Sequence, residues 1–140
     1  MIIRKGKLED LKELMEILID TIKSKGETYS KQWVRACLIG NKDLVLVAEE
    51  NGDISGLLIA ELWPEKNYSY LENLYVRPEF RRKRVAYKLM KEYENICKKG
   101  RMDMISCLTL TDNLAMQKFL KKFNYEFGPA FYLCRKNLKI

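Results

Sequence analysis

The sequence predicts an α/β fold, a mixed sheet flanked by helices, and three observations carry that prediction. Residues 44–76 hold apolar, β-branched segments punctuated by Asn51-Gly52 and Pro64, the pattern of strands joined by short turns. Helical periodicity flanks this run on both sides. Beyond residue 78 helices and strands alternate, so the expected order is β-α-α-β-β-β-α-β-α-β about one sheet. With 140 residues the chain is expected to form a single domain, 1–140, burying roughly two thirds of its unfolded surface.

Ile2-Ile3-Arg4 reads as a short first strand, and Leu11, Leu14, Met15, Leu18 and Ile22 recur at helical spacing from 8 to about 23. The polar stretch from Lys23 to Thr28 breaks that helix, Ser30 can cap the next one, with Trp33, Cys37 and Leu38 on one stripe, and Gly40 ends it. Leu44 to Ala48, Ile54 to Trp63 and Tyr68 to Val76 form a three-stranded meander whose first turn, Asn51-Gly52, suits a type I′ hairpin. Val85, Leu89, Tyr93, Ile96 and Cys97 mark a helix from about 82 to 98, stopped by Gly100. Met104 to Leu110 is nearly unbroken in its apolar character, as expected of a central strand covered on both faces. Asn113 opens a helix with Met116, Phe119, Leu120 and Phe123 inward, and Gly128-Pro129 leads to a last strand, Phe131 to Arg135.

Composition narrows the chemistry. There are no histidines, which removes imidazole bases, His-ligated zinc and His-paired nucleophiles. The four cysteines, Cys37, Cys97, Cys107 and Cys134, form no C-x-x-C pair and read as small core residues of a reducing cytosol. No metal site is expected. No apolar stretch is long enough to span a bilayer, so a cytoplasmic protein without a membrane partner is expected.

Charge is uneven. Nine basic residues between Arg81 and Arg101 face only Glu92 and Glu94, so this segment carries the whole formal excess of +7. From Asp43 to Glu72, by contrast, Lys66 stands alone against Asp43, Glu49, Glu50, Asp53, Glu61, Glu65 and Glu72. One segment favours an anion and the other a cation. The run Leu74-Tyr75-Val76-Arg77-Pro78-Glu79-Phe80-Arg81-Arg82-Lys83-Arg84-Val85-Ala86 places a helix N-terminus just past a strand end. Its unpaired N–H groups and positive dipole end make an anion cradle, with four consecutive cations at the mouth.

These residues resemble the acyl-CoA motif of the GNAT superfamily of N-acetyltransferases, [Q/R]-x-x-G-x-[G/A] after a V-x-P-E-[F/Y] strand end. Val76, Pro78, Glu79, Phe80, Arg81 and Ala86 match it. Asn113 and Leu120-Lys121-Lys122-Phe123-Asn124-Tyr125 stand where the family has N-x6-Y-x-K-x-G-F, so the similarity spans essentially the whole chain. Arg84 replaces the motif glycine, Leu120 the tyrosine that protonates the leaving thiolate in many members, and Asn124 a glycine that Asn replaces easily in a left-handed conformation.

The resemblance implies a mixed, mostly antiparallel sheet and an acetyl-CoA-dependent N-acetyltransferase working by direct transfer in a ternary complex. It implies that Leu74, Tyr75 and Val76 hold the pantetheine arm and that Arg81 belongs to the cradle. The backbone of Arg82, Lys83, Arg84, Val85, Ala86 and Tyr87 would hold the pyrophosphate, and Asn113 would touch the cofactor arm. Glu72, four residues before Val76, is the candidate base for a primary amine acceptor, and Tyr132 a candidate acid. Trp33, Tyr68 and Tyr70 read as core or pocket wall, and Cys107 has no histidine to activate it as an acyl carrier. A polyamine-like molecule, a protein N-terminus and a lysine side chain all fit as acceptor, and family members often pair through sheet edges, so a homodimer is one assembly to expect. Two alternatives stay open: a catalytically silent domain that binds acyl-CoA or a partner as sensor or scaffold, motivated by Arg84 and Leu120, and a nucleic-acid module using the basic helix.

Overall fold

A computed structural model describes residues 1–25 and 29–139, the side chains of 20–25 excepted. The expected inward position of Ile22 and the polar residues 26–28 lie outside the described residues. The chain divides into two compact units, Met1–Cys107 and Leu108–Ile140.

The first unit holds β1 (Ile2–Lys5), α1 (Leu11–Lys25), α2 (Lys31–Ile39), β2 (Asp43–Glu50), β3 (Asp53–Trp63), β4 (Tyr68–Val76), α3 (Val85–Lys99) and β5 (Met104–Cys107). The strands form one sheet in the order β1-β2-β3-β4-β5, antiparallel except for the parallel pair β4 and β5. The Asn51-Gly52 turn takes φ of 52° and 85°, the doubly left-handed geometry expected of that dipeptide. Ser30 caps α2 by accepting from the Trp33 amide at 3.0 Å.

Strand alternation assigns the two faces of the sheet. Val45, Val47, Leu57 and Ile59 join Leu14, Leu18, Val34 and Cys37 in one core beneath α1 and α2. The intervening residues meet α3, whose stripe of Val85, Leu89, Met90, Tyr93 and Cys97 is buried. There Ser69 donates to the Glu61 carbonyl at 2.8 Å, leaving its oxygen to accept from the buried Tyr93 hydroxyl at 2.7 Å, so no hydroxyl in this contact is stranded. Glu13 of α1 accepts from the Ile54 amide at 2.9 Å and from Arg77 at 3.3 Å, tying the helix to both the start of β3 and the end of β4.

Arg4 of β1 holds Asp10 through paired contacts of 2.8 and 3.0 Å, and this hydrogen bonding lowers the Asp10 carboxyl below its usual range. A carboxyl depressed in the folded state adds stability above its unfolded value, which is lost as pH falls through the folded one. Asp10→Asn is therefore expected to destabilise the protein at neutral pH and to converge with the parent only as pH falls through the depressed folded value, which lies below the ordinary 3.8, measured by thermal denaturation against pH. A gap that persisted into strong acid would contradict this.

Four sequence expectations are corrected. The strand expected from Met104 to Leu110 is only Met104–Cys107 and lies at the sheet edge, not in its centre, with Met104 60% exposed. The expected strand from Phe131 to Arg135 is not formed: residues 124–139 carry neither helix nor strand. Helix α3 begins at Val85 instead of 82 because Arg82 and Arg84 both adopt left-handed backbone, at φ 65° and 63°. Of the cysteines expected in the core, Cys37 and Cys97 are buried, whereas Cys107 is half-buried and Cys134 exposed.

In the second unit α4 (Leu114–Lys122) is capped by Asn113, whose side chain accepts from the Met116 amide at 3.1 Å, and is followed by Asn124 at φ 64°, left-handed as its sequence position suggested. Among the described residues no helix is long and apolar enough to cross a membrane.

Candidate active site

Strand β4 outlasts its parallel neighbour. The ladder with β5 ends at Leu71 opposite Cys107, while β4 continues to Val76 along β3. Within the first unit, residues 72–76 therefore have strand hydrogen bonds on the β3 side only, and their other edge presents donors and acceptors to a ligand lying parallel to the strand.

A bulge marks where this open edge begins. Asn73 lies opposite Ile59 and Leu71 opposite Ala60, so Glu72 is the extra residue in the register with β3. The insertion re-aims the next side chain: Asn73 donates to the Tyr29 hydroxyl at 3.0 Å, on the α1 and α2 side of the sheet.

At the far end the chain folds sharply into α3. The Arg77 amide donates to the Ser55 carbonyl at 2.9 Å, Pro78–Phe80 forms a single 3-10 turn, and Arg81 Nε donates to the Val76 carbonyl at 3.0 Å. The first helical bond of α3 runs from the Lys88 amide to the Arg84 carbonyl. The amides of Val85 and Ala86 come before it, and Arg84 offers no side-chain cap. Arg81, Arg82, Lys83 and Arg84 are all exposed around them. Uncapped first-turn amides ringed by cations fit a diphosphate, and the open edge beside them fits an extended amide-bearing arm. The residues present thus match a CoA thioester.

Arg84 is held left-handed with its guanidinium 4.1 Å from the Tyr87 ring centroid. The conformation costs an L-residue about 1–2 kcal/mol, which the cation–π contact, about 0.5–1 kcal/mol when exposed, offsets in part. Arg84→Gly is therefore expected to hold or raise the melting temperature, whereas Arg84→Val, β-branched and without the ring contact, should lower it by several degrees. A valine variant as stable as the glycine one would refute the strain.

Acidic groups gather on the α2 side of β3 and β4. Burial, with the carboxylates of Asp43, Glu61 and Glu72 adding in the same direction, pushes the Cys37 thiol up to about 12. Burial also raises Tyr70, with Glu72 adding to it. A cavity of about 340 Å³ opens here, lined by Glu61, Trp63, Lys66, Tyr68 and Tyr70. Trp63 Nε1 donates to Glu61 at 3.2 Å, and the Lys42 ammonium lies 3.8 Å from its ring centroid. Tyr68 and Tyr70 form its wall, one of the two places the sequence allowed them, while Glu61, Trp63 and Lys66 were not singled out as its lining; the signal for them is the hairpin pairing, which sets Glu61 opposite Tyr70 and Trp63 opposite Tyr68.

Of the residues expected at the site, the first unit brings together Glu72, Leu74, Tyr75 and Val76 on one strand with Arg81, Arg82, Lys83, Arg84, Val85, Ala86 and Tyr87 at its end. Asn113 and Tyr132 belong to the second unit. The Asn113 side-chain oxygen is engaged by its own helix, and Tyr132 is 97% exposed on a stretch without the strand expected to carry it. Leu120, in place of the family's tyrosine, is buried and has no proton to give. Burial raises the Cys107 thiol, which disfavours the nucleophilic thiolate.

Comparison with known proteins bears on the family and the fold. The family model for the acetyltransferase (GNAT) family matches residues 11–125. No curated protein matches the chain. Among solved structures, a tetramutant of the BH1408 protein from Bacillus halodurans superposes with a TM-score of 0.83 at 18% identity, over 97% of this chain and 100% of that one. The PaiA N-acetyltransferase from Thermoplasma acidophilum, solved with coenzyme A, gives 0.78 at 22% identity over 87% of each chain. An aminoglycoside acetyltransferase from an uncultured soil metagenomic sample, solved with sisomicin, gives 0.78 at 16% identity over 96% of each. At such identities these structures establish the shared fold.

Proposed function

This chain belongs to the GNAT family of acetyltransferases, and from that premise we propose that it is an acetyl-CoA-dependent N-acetyltransferase acting on a primary amine by direct transfer. The observation that carries the reading is the edge of β4 left unpaired within the first unit, which runs from Glu72 to Val76 into the uncapped first turn of α3.

Acetyl-CoA supplies the acyl group as an activated thioester. Residues 74–76 align its pantetheine arm, the amides of Val85 and Ala86 with the Arg81 to Arg84 cations hold its diphosphate, and strand amides near Val76 polarise the carbonyl. The acidic face draws the protonated acceptor in. Glu72 takes a proton from the ammonium, directly or through water, and frees the nitrogen lone pair. The new N–C bond would form as the C–S bond breaks, and the nitrogen would lose its second proton to water or to the departing thiolate, leaving a neutral amide. The CoA thiolate leaves unassisted or takes a proton from water, and Tyr132 is the phenol to test for that role.

Two measurements decide the reading: calorimetric titration with CoA, and CoA release from acetyl-CoA with a panel of primary amines. Micromolar binding with amine-dependent release supports it. Binding without release identifies a silent acyl-CoA-binding domain instead, and absence of binding overturns both.

A further inference from the structure

The cavity at the β3–β4 hairpin already contains an alkylammonium, that of the chain itself. Lys66 lines it from the exposed Pro64–Lys66 turn, with its ammonium 5.0 Å from the Trp63 ring centroid. The ring face attracts cations, and the Glu61 carboxylate beside it offers a charge-assisted partner. Asp43, Glu61 and Glu72 outnumber Lys42 and Lys66 on this side, so another cation is still favoured. Glu61 lies opposite Tyr70, which stands two residues before Glu72 on the same strand. Two strand residues span about 7 Å.

We propose that this cavity anchors one ammonium of a linear diamine whose other amine reaches Glu72, and that Lys66 is a built-in competitor for the anchoring position. At about 1.5 Å per bond, nitrogens about 7 Å apart correspond to a spacer of roughly four to six carbons. A monoamine lacks the anchor, and a two-carbon diamine cannot reach both carboxylates. The identity of the second amine as acetyl acceptor rests on the acetyltransferase reading; binding of the diamine does not.

Trp63 reports on the cavity directly. In a Trp33→Phe background it is the remaining indole, so its emission can be titrated without acetyl-CoA. Putrescine and cadaverine are expected to change it saturably, at concentrations roughly tenfold below those needed for n-butylamine or ethylenediamine. Glu61→Gln should weaken the diamine response roughly tenfold. Lys66→Ala, on an exposed turn, should strengthen it severalfold, an outcome that general loss of structure cannot mimic. Equal responses to diamine and monoamine, no saturable response, or a weaker response in Lys66→Ala would overturn the proposal. With acetyl-CoA present, kcat/KM should follow the same order of amines. Equal turnover of all amines would remove the diamine inference and leave the acetyltransferase reading intact. Failure of CoA to bind would remove that reading, while the emission titration still decides the cavity.

Discussion

Glu72→Gln is expected to lower kcat for acetyl transfer by about 10²- to 10³-fold while leaving the Kd for CoA within a factor of two. General-base assistance contributes about 10²–10⁴ when a positioned side chain removes a proton in the transition state. Glutamine keeps the size and hydrogen-bonding shape of the side chain but cannot accept that proton. Glu72 stands upstream of the 74–76 segment that would hold the cofactor arm, so the substitution separates chemistry from binding. Its position supports the role: it is the extra residue of the β4 bulge, at the point where the β4 edge opens, and bulges of this kind commonly re-aim side chains beside active sites. Glu72→Asp, which shortens the side chain by one methylene, should retain more activity than Gln. A glutamine variant with full kcat would remove Glu72 from the mechanism.

Gly56→Val should impair stability and cofactor binding together. Gly56 pairs with Val76, and a Cβ built there comes within 3.0 Å of the Tyr75 carbonyl, 3.0 Å of a Val85 methyl and 3.3 Å of a Val76 methyl. Val85 is the first residue of α3 and is 2% exposed, so it cannot yield outward without carrying the helix start with it. Overpacking of this kind costs about 1–3 kcal/mol, which denaturant titration resolves. The same displacement separates the first-turn amides of α3 from the end of β4, so CoA affinity should fall roughly tenfold, about 1.4 kcal/mol. Gly128→Ala, where an added Cβ meets nothing within 4 Å, is the control and should change neither quantity. Unchanged CoA affinity in a folded, destabilised Gly56 variant would show that the strand end and the helix start do not act as one site.

The three-stranded meander was legible because each signal in it is local. Asn51-Gly52 demands positive φ, Pro64 interrupts pairing, and Tyr68 to Val76 was located to the residue. The join between β4 and α3 was legible for the same reason, since a strand end, a proline turn and a basic helix start are contiguous in the chain. The β5 region misled because an unbroken apolar run implies a covered strand only if neighbours exist on both sides, and pairing partners are not encoded in the run itself. The start of α3 was placed three residues early, since periodicity extends through residues whose backbone has left the helical basin. Tyr68 and Tyr70 could be read only as core or pocket wall, because which carboxylate and which lysine they line a cavity with is set by pairing with a neighbouring strand.

From its residues alone this protein declared its layered architecture, the basic turn that opens α3 and the carboxylate upstream of it, because hydrophobic period, turn chemistry and charge all act between near neighbours in the chain. Tertiary structure alone decided that β5 stops short and that, within the first unit, the β4 edge beyond it is unpaired, that Glu72 falls on a bulge, and that a lysine shares a tryptophan with an acidic pocket. Those features depend on the register between separate strands, where a one-residue slip changes which side chains meet, and no local propensity carries that information.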